Sequence, residues 1–224
     1  MTTNDLDFIT IEPTTPATHT IIILHGLGAD GGDFTSIVPE LKLPANLAVR
    51  FIFPHAPQRP ITINNGYHMR GWYDITSLTA EGRDDHAGIQ TSLTQIEQIM
   101  AQQEASGIES NKIILMGFSQ GAAMALTTGL RHTKPLAGII ALSGYLPVAK
   151  DTLAIASPAN KNIPIFIGHG TADAVVMYQW GQKTSQTLQQ AGYNVDWHSY
   201  PMQHTVCLEE INDISQWIQK RFGK

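Results

Sequence analysis

The stretch Lys112-Ile113-Ile114-Leu115-Met116-Gly117-Phe118-Ser119-Gln120-Gly121-Ala122-Ala123 constrains the fold of this chain more than any other. An apolar, strand-like run feeds G-x-S-x-G, and a small-residue helical pattern follows. That is the order of parts in a nucleophile elbow, where a strained turn between strand and helix lifts a serine hydroxyl to the top of a sheet. Both glycines have a steric reason: a side chain at Gly117 or Gly121 would collide with the turn, and the serine itself must occupy an unfavourable backbone region. A pentapeptide in a chain with 19 glycines is weak evidence by itself, so its weight depends on the surrounding pattern.

That pattern alternates strands with helices. An edge strand is expected over residues 6–11, stopped by Pro13 and Pro16, and a β-branched strand over 20–24. A glycine-rich loop follows, opening towards a short helix that reaches about Leu41. The next strand covers 49–53, and residues 54–83 then form a long irregular loop with prolines, glycines and aromatics, of the kind that often carries function. From Asp84 to about Ser106, Ile89, Leu93, Ile96, Ile99 and Met100 recur at helical spacing, and Gly107 closes the pattern. After the elbow and a helix to about His132, strands are expected at 136–142, 163–168 and 194–200, with helices from Tyr178 to Ala191 and from about Leu208 onward. Such alternation implies a three-layer α/β fold, a mostly parallel sheet with helices on both faces. At 224 residues and with no linker, repeat or low-complexity segment, one domain over 1–224 is expected.

Composition removes several classes of function. Fourteen Lys and Arg against 19 Asp and Glu give a net charge of −5, with no basic stripe to grip a phosphate backbone, so nucleic acid is not an expected partner. No apolar run approaches the roughly 18 residues that span a bilayer, and the first residues show no secretory pattern. Cys207 is the single cysteine, which rules out an internal disulfide and a thiolate zinc cluster and fits a cytoplasmic location. The nine histidines contain no H-E-x-x-H, and no metal site is expected.

The glycine-rich loop His25-Gly26-Leu27-Gly28-Ala29-Asp30-Gly31-Gly32-Asp33 lacks a P-loop lysine and a partner acid about 20 residues on, which argues against nucleotide binding. Its alternative use is to aim the backbone N–H of Leu27 at a developing oxyanion, with His25 pinning the loop by hydrogen bonds. The second donor in an elbow is the N–H of the residue after the nucleophile, Gln120. A serine needs a base, and the base an acid, in the order Ser, acid, His. Between Ser119 and His204 the only carboxylates are Asp151, Asp173 and Asp196, and Asp173 alone sits in a loop just past a strand. Downstream of it remain His198, within a strand pattern, and His204, on the loop after the last strand. Ser119, Asp173 and His204 are therefore the candidate triad. Trp72 and Tyr73 in the long loop either line a pocket or anchor the loop to the core.

With these residues in place, the chain resembles the phospholipase/carboxylesterase family of α/β-hydrolases, small carboxylesterases and acyl-protein thioesterases. The likeness runs through Leu24-His25-Gly26-Leu27-Gly28-Ala29-Asp30, Phe51-Ile52-Phe53-Pro54-His55-Ala56-Pro57, Trp72-Tyr73-Asp74, the elbow, His169-Gly170-Thr171-Ala172-Asp173 with Val175-Val176, and His204. It implies the Ser119–Asp173–His204 triad, an oxyanion hole from Leu27 and Gln120, no cofactor and no metal, and a substrate pocket assigned to Trp72, Leu146 and Val176. The implied partner is a small-molecule ester or an acylated substrate with a short to medium acyl chain, and the implied assembly a homodimer. A protein S-deacylase and a lysophospholipase are the neighbouring readings, and a non-catalytic binding protein on the same fold is the reading from another class. Two positions depart from the family pattern: Ala122 stands where a glycine is common, and Gly144 stands where a threonine often precedes the tyrosine.

Overall fold

The computed structural model describes residues 6–77 and 85–223. In chain order the strands are β1 (Phe8–Ile11), β2 (His19–Leu24), β3 (Val49–Pro54), β4 (Gln58–Ile61), β5 (Tyr67–Arg70), β6 (Ile113–Phe118), β7 (Gly138–Leu142), β8 (Ile165–Gly170) and β9 (Val195–Tyr200). The helices are α1 (Ile37–Glu40), α2 (His86–Ala105), α3 (Gln120–Arg131), α4 (Ala149–Ala154), α5 (Tyr178–Gln190) and α6 (Leu208–Phe222). Seven strands form one sheet in the order β1-β3-β2-β6-β7-β8-β9, parallel throughout except for the antiparallel edge strand β1.

Each sheet face has its own core, as the period of two demands. Ile22 and Leu24 of β2 join Leu115 and Ile139 on one face, under Ile89 and Ile96 of α2 and Met124 of α3. Ile21 and Ile23 point the other way, to Ile114, Met116 and Ile140, beneath Ile37 of α1 and Ile214, Trp217 and Ile218 of α6. Burial on both faces explains why the central strands are continuous apolar runs. The result is the expected three-layer α/β-hydrolase arrangement.

The topology also fixes where a site can lie. From β2 the chain moves outward to β3 in one direction, whereas β6 to β9 build away in the other, so the order reverses between β2 and β6. In open α/β sheets the crevice beyond the carboxyl ends of strands at such a switch is the ligand site. Leu24 and Gly117 are register partners there, so the glycine-rich loop and the elbow emerge side by side.

Three expectations need correction. The segment 54–83 is not all irregular: β4 and β5 pair as an antiparallel hairpin turned through Asn65 and Gly66, both at positive φ. Its strands are mostly polar and alternate weakly, so their pairing shows only in three dimensions; residues 78–83 lie outside the described residues. The second-last strand starts at Ile165, after Pro164, and runs on to Gly170, placing His169 inside β8 rather than in the loop. Helix α2 begins at His86, where the Asp85 side chain accepts the Gly88 N–H at 2.9 Å; Asp84, its expected start, lies outside the described residues.

Candidate active site

Ser119 is the N-cap of α3 and has φ 55° and ψ −118°, a strained conformation for a residue with a side chain. The strain is enforced from two sides. A Cβ on Gly121 would fall 2.0 Å from the Leu24 carbonyl oxygen, and one on Gly117 would fall 2.2 Å from that of Gly121. The Ser119 N–H donates to the Leu142 carbonyl at 2.8 Å, so β7 holds the turn as well.

His204 Nε2 lies 3.0 Å from Ser119 Oγ, and His204 Nδ1 lies 2.7 Å from Asp173 Oδ2. Asp173 has no exposed side-chain surface, and its other oxygen accepts the N–H groups of Val175 and Val176, each at 2.9 Å. A carboxylate accepts and does not donate, so Nδ1 carries the proton and Nε2 offers its lone pair to the serine hydroxyl. The loops that carry Asp173 and His204 are also tied to each other by backbone. Thr171 N–H donates to the Tyr200 carbonyl at 2.8 Å, Ala172 N–H donates to that of Met202 at 3.1 Å, and the Phe118 ring packs against the His204 ring.

The other two carboxylates between Ser119 and His204 lie elsewhere. Asp196 is on β9 beside His198, at 3.0 Å, and Asp151 is in α4, 3.9 Å from His86. Cys207 is the N-cap of α6, partly buried and free.

The glycine-rich loop lies directly against Ser119, since a Cβ on Gly26 would come within 3.3 Å of Ser119 Cβ. The backbone N–H groups of Leu27 and Gln120 donate to no carbonyl among the described residues, which leaves both for a ligand. His25 pins the loop from behind: its Nδ1 donates to the Gly26 carbonyl at 2.7 Å, and its Nε2 accepts the Ala56 N–H at 3.0 Å. Burial lowers its pKa, which keeps the ring neutral and able to accept. The Gln120 side chain has a separate task that the sequence does not reveal. Its Oε1 accepts the Trp72 N–H at 2.8 Å, and its Nε2 donates to the Tyr73 carbonyl at 2.7 Å, clamping the 70s segment to the elbow.

A second histidine, His169, sits under Asp173. Its Nε2 lies 2.8 Å from the Val176 carbonyl and 3.5 Å from Asp173 Oδ2, and burial lowers its pKa too. Donation from Nε2 holds the turn whose N–H groups hold Asp173. A Cβ on Gly181 would meet this ring at 2.2 Å, so α5 leaves room for it.

Beside Ser119 opens a cleft of about 350 Å³, within the range of small-molecule sites, with walls that include Leu27, Ile63, Tyr73, Ile75 and Val176. Of the three residues assigned to a pocket, Val176 lines this cleft and the other two do not. Trp72 is the anchor instead: its indole N–H donates to the His25 carbonyl at 2.9 Å, behind the loop. Leu146 is buried and its N–H donates to Thr184 Oγ1 at 2.9 Å. Tyr73 takes the wall position, its hydroxyl 2.9 Å from that of Tyr145.

Comparison with known proteins agrees with this architecture. Residues 6–222 match the Phospholipase/Carboxylesterase family. The chain is 42% identical to acyl-protein thioesterase 1 of Neurospora crassa over 216 residues, covering 92% of this chain and 88% of that one. It is 37% identical to acyl-protein thioesterase 1 of Yarrowia lipolytica over 208 residues, 91% of this chain and 92% of the other. Among solved structures, Zea mays acyl-protein thioesterase 2 superposes with a TM-score of 0.86 at 29% identity, covering 97% of this chain and 99% of that one. The Bacillus cereus carboxylesterase shares the fold at 16% identity, with a TM-score of 0.78 over 98% and 96% of the two chains. This chain belongs to the phospholipase/carboxylesterase family of α/β-hydrolases.

Proposed function

We propose that the protein, acting as one domain over residues 1–224, hydrolyses carboxylic esters or thioesters of short to medium acyl chains through an acyl-enzyme on Ser119. The observation that carries this reading is the unbroken relay from Ser119 Oγ through His204 to Asp173, at 3.0 and 2.7 Å, beside two unused backbone N–H groups.

In the first half of the reaction Ser119 Oγ attacks the acyl carbon while its proton passes to His204 Nε2. The carbonyl oxygen takes on negative charge in reach of the Leu27 and Gln120 N–H groups, which bind it better than the neutral carbonyl and so lower the barrier. Asp173 accepts from Nδ1 and stabilises the imidazolium. His204 then hands its proton to the departing alcohol or thiol as the bond to the acyl carbon breaks. In the second half His204 takes a proton from water, the hydroxide attacks the acyl-serine, and return of that proton to Ser119 Oγ releases the acid.

The acyl chain occupies the cleft beside Ser119, whose apolar walls suit it. The names of the relatives favour thioesters, and with them protein S-deacylation, over simple esters. A lysophospholipase differs only in the leaving group. A cytoplasmic location, supported by the single free Cys207, and a homodimer, supported by the family resemblance, complete the proposal; sedimentation of the purified chain tests the dimer.

The deciding experiment is a ladder of ester and thioester substrates of increasing acyl length, run with wild type and Ser119→Ala. Turnover should fall by roughly four to six orders of magnitude in the variant, and a fluorophosphonate should label only the wild type. Absence of both labelling and turnover in the wild type would favour a binding protein.

A further inference from the structure

Glu210 lies outside the relay and is the most deeply buried acid among the described residues. It is in the first turn of α6, six residues after His204, with 0% of its surface exposed. Neither carboxyl oxygen has a hydrogen-bond partner among the described residues. Opposite it is Gly168 of β8, five residues before Asp173; a Cβ there would fall 2.1 Å from Glu210 Oε1. The carboxyl thus fills the space left by an absent side chain, in the seam where the strand leading to the acid meets the helix following the base. The same seam is tight further along, since a Cβ on Gly170 would lie 2.4 Å from the carbonyl oxygens of both Met202 and Gln203.

We propose that Glu210 is a positioning residue for the Asp173–His204 pair, an uncharged acid wedged between β8 and α6 that sets the separation of the two loops. The proposal rests on the hydrolase reading above.

An ionised carboxylate in this place would be without a counter-ion. The titratable groups around it are Asp213 on the same helix, Tyr200 of β9, whose hydroxyl donates to Asp213 at 2.8 Å, His198, 3.5 Å from Asp213, and Cys207 at the helix N-cap. Asp213 repels a second negative charge, and Tyr200 and His198 are already directed to Asp213. The helix N-terminus favours a negative charge, but that attraction is weaker than the cost of stripping an ion of all its water. Burial first, and Asp213 second, push the Glu210 pKa up to about 8. At neutral pH the wedge is neutral; above about pH 8 it becomes a charge beneath both loops.

The full chain is compared as wild type and Glu210→Gln, which keeps the size of the neutral acid but has no proton to lose. At neutral pH the variant should keep kcat within about twofold. Above about pH 8 the wild-type kcat should fall by up to about tenfold per pH unit with little change in KM, and Glu210→Gln should lack that fall. An alkaline limb of unchanged shape in Glu210→Gln overturns the proposal. Carboxyl 13C NMR of glutamate-labelled wild type reads the same group without catalysis and without a variant: one glutamate should stay protonated at pH 7 and titrate near 8. All glutamates ionised at pH 7 also overturns it. A wild type without hydrolase activity sinks the hydrolase reading and the positioning role with it, while the NMR result still decides the charge of Glu210.

Discussion

Gly121 backs onto Leu24 so closely that a methyl group on it would lie 2.0 Å from the Leu24 carbonyl oxygen and 2.7 Å from that of His25. Both obstacles are backbone, and one is the end of the strand that delivers Leu27. Gly121→Ala cannot be absorbed by a side chain swinging aside, so it must push α3 away from β2. Overpacking of this kind costs about 1–3 kcal/mol or more, and here it moves Ser119 relative to the Leu27 N–H. The expected outcome is a lowered denaturation midpoint together with at least a hundredfold loss of kcat/KM, read by chemical denaturation and steady-state kinetics. A variant with wild-type kinetics would show that the elbow does not need this glycine.

The two hydrogen bonds of the Gln120 side chain separate its role from that of its backbone. Gln120→Ala keeps the N–H proposed for the oxyanion but leaves the Trp72 N–H and the Tyr73 carbonyl, both buried, without this partner. Loss of a buried hydrogen-bond partner costs about 1–3 kcal/mol, so stability should fall by roughly 2–6 kcal/mol for the two. Fluorophosphonate labelling of Ser119 should persist at a reduced rate. Unchanged unfolding in urea would mean that the 70s segment is held by other contacts.

Acidification should weaken the fold through two buried histidines. Burial lowers the pKa of His25 and of His169, so below the ordinary value of 6.5 the unfolded chain takes up protons that the folded chain refuses. Their contribution is therefore fully present above pH 6.5 and is lost as pH falls below it. Glu210 acts in the opposite sense, its raised pKa favouring the folded state at low pH and withdrawing that support as pH rises towards about 8. The difference between wild type and His169→Asn isolates one group. Any gap in Tm between them should narrow as pH falls from about 6.5 to about 5. A gap constant over that range would mean that His169 titrates alike in both states.

Much of this molecule can be read from residue order because strong local signals coincide with the places that topology makes functional. β2, β6, β7 and β8 are buried on both faces and so announce themselves as apolar runs, and the elbow, Asp173 and His204 follow the carboxyl ends of strands. What the residue order conceals depends on partners distant in the chain. The β4–β5 hairpin is a polar pairing whose Gly71 N–H is fixed by the Pro57 carbonyl. Helix α4 has only six residues, too few to display a period. Trp72 reads equally as wall or anchor until its indole meets the His25 carbonyl, 47 residues away. No pattern in the residue order singles out Glu210, whose carboxyl is buried against the missing side chain of Gly168.

The two oxygens of Asp173 have different partners, and that asymmetry makes Asp173→Asn informative. Oδ1 accepts two backbone N–H groups, from Val175 and Val176, whereas Oδ2 faces His204 Nδ1. An asparagine has one acceptor oxygen, and the two fixed donors will claim it, because an NH2 group turned towards them would leave three donors facing one another. The amide nitrogen must then face Nδ1, which can receive it only as an acceptor. The proton of a neutral His204 is forced onto Nε2, so the ring offers a donor to Ser119 Oγ where the reaction needs a base. Size and hydrogen-bond count are preserved, so the fold should survive with a near-native Tm. Turnover should drop by about 10⁴ with little change in KM, as expected for a base in the wrong tautomer. Measured kcat within tenfold of wild type would mean that Asp173 does not set the tautomer, and the Ser119–His204–Asp173 assignment would have to be abandoned.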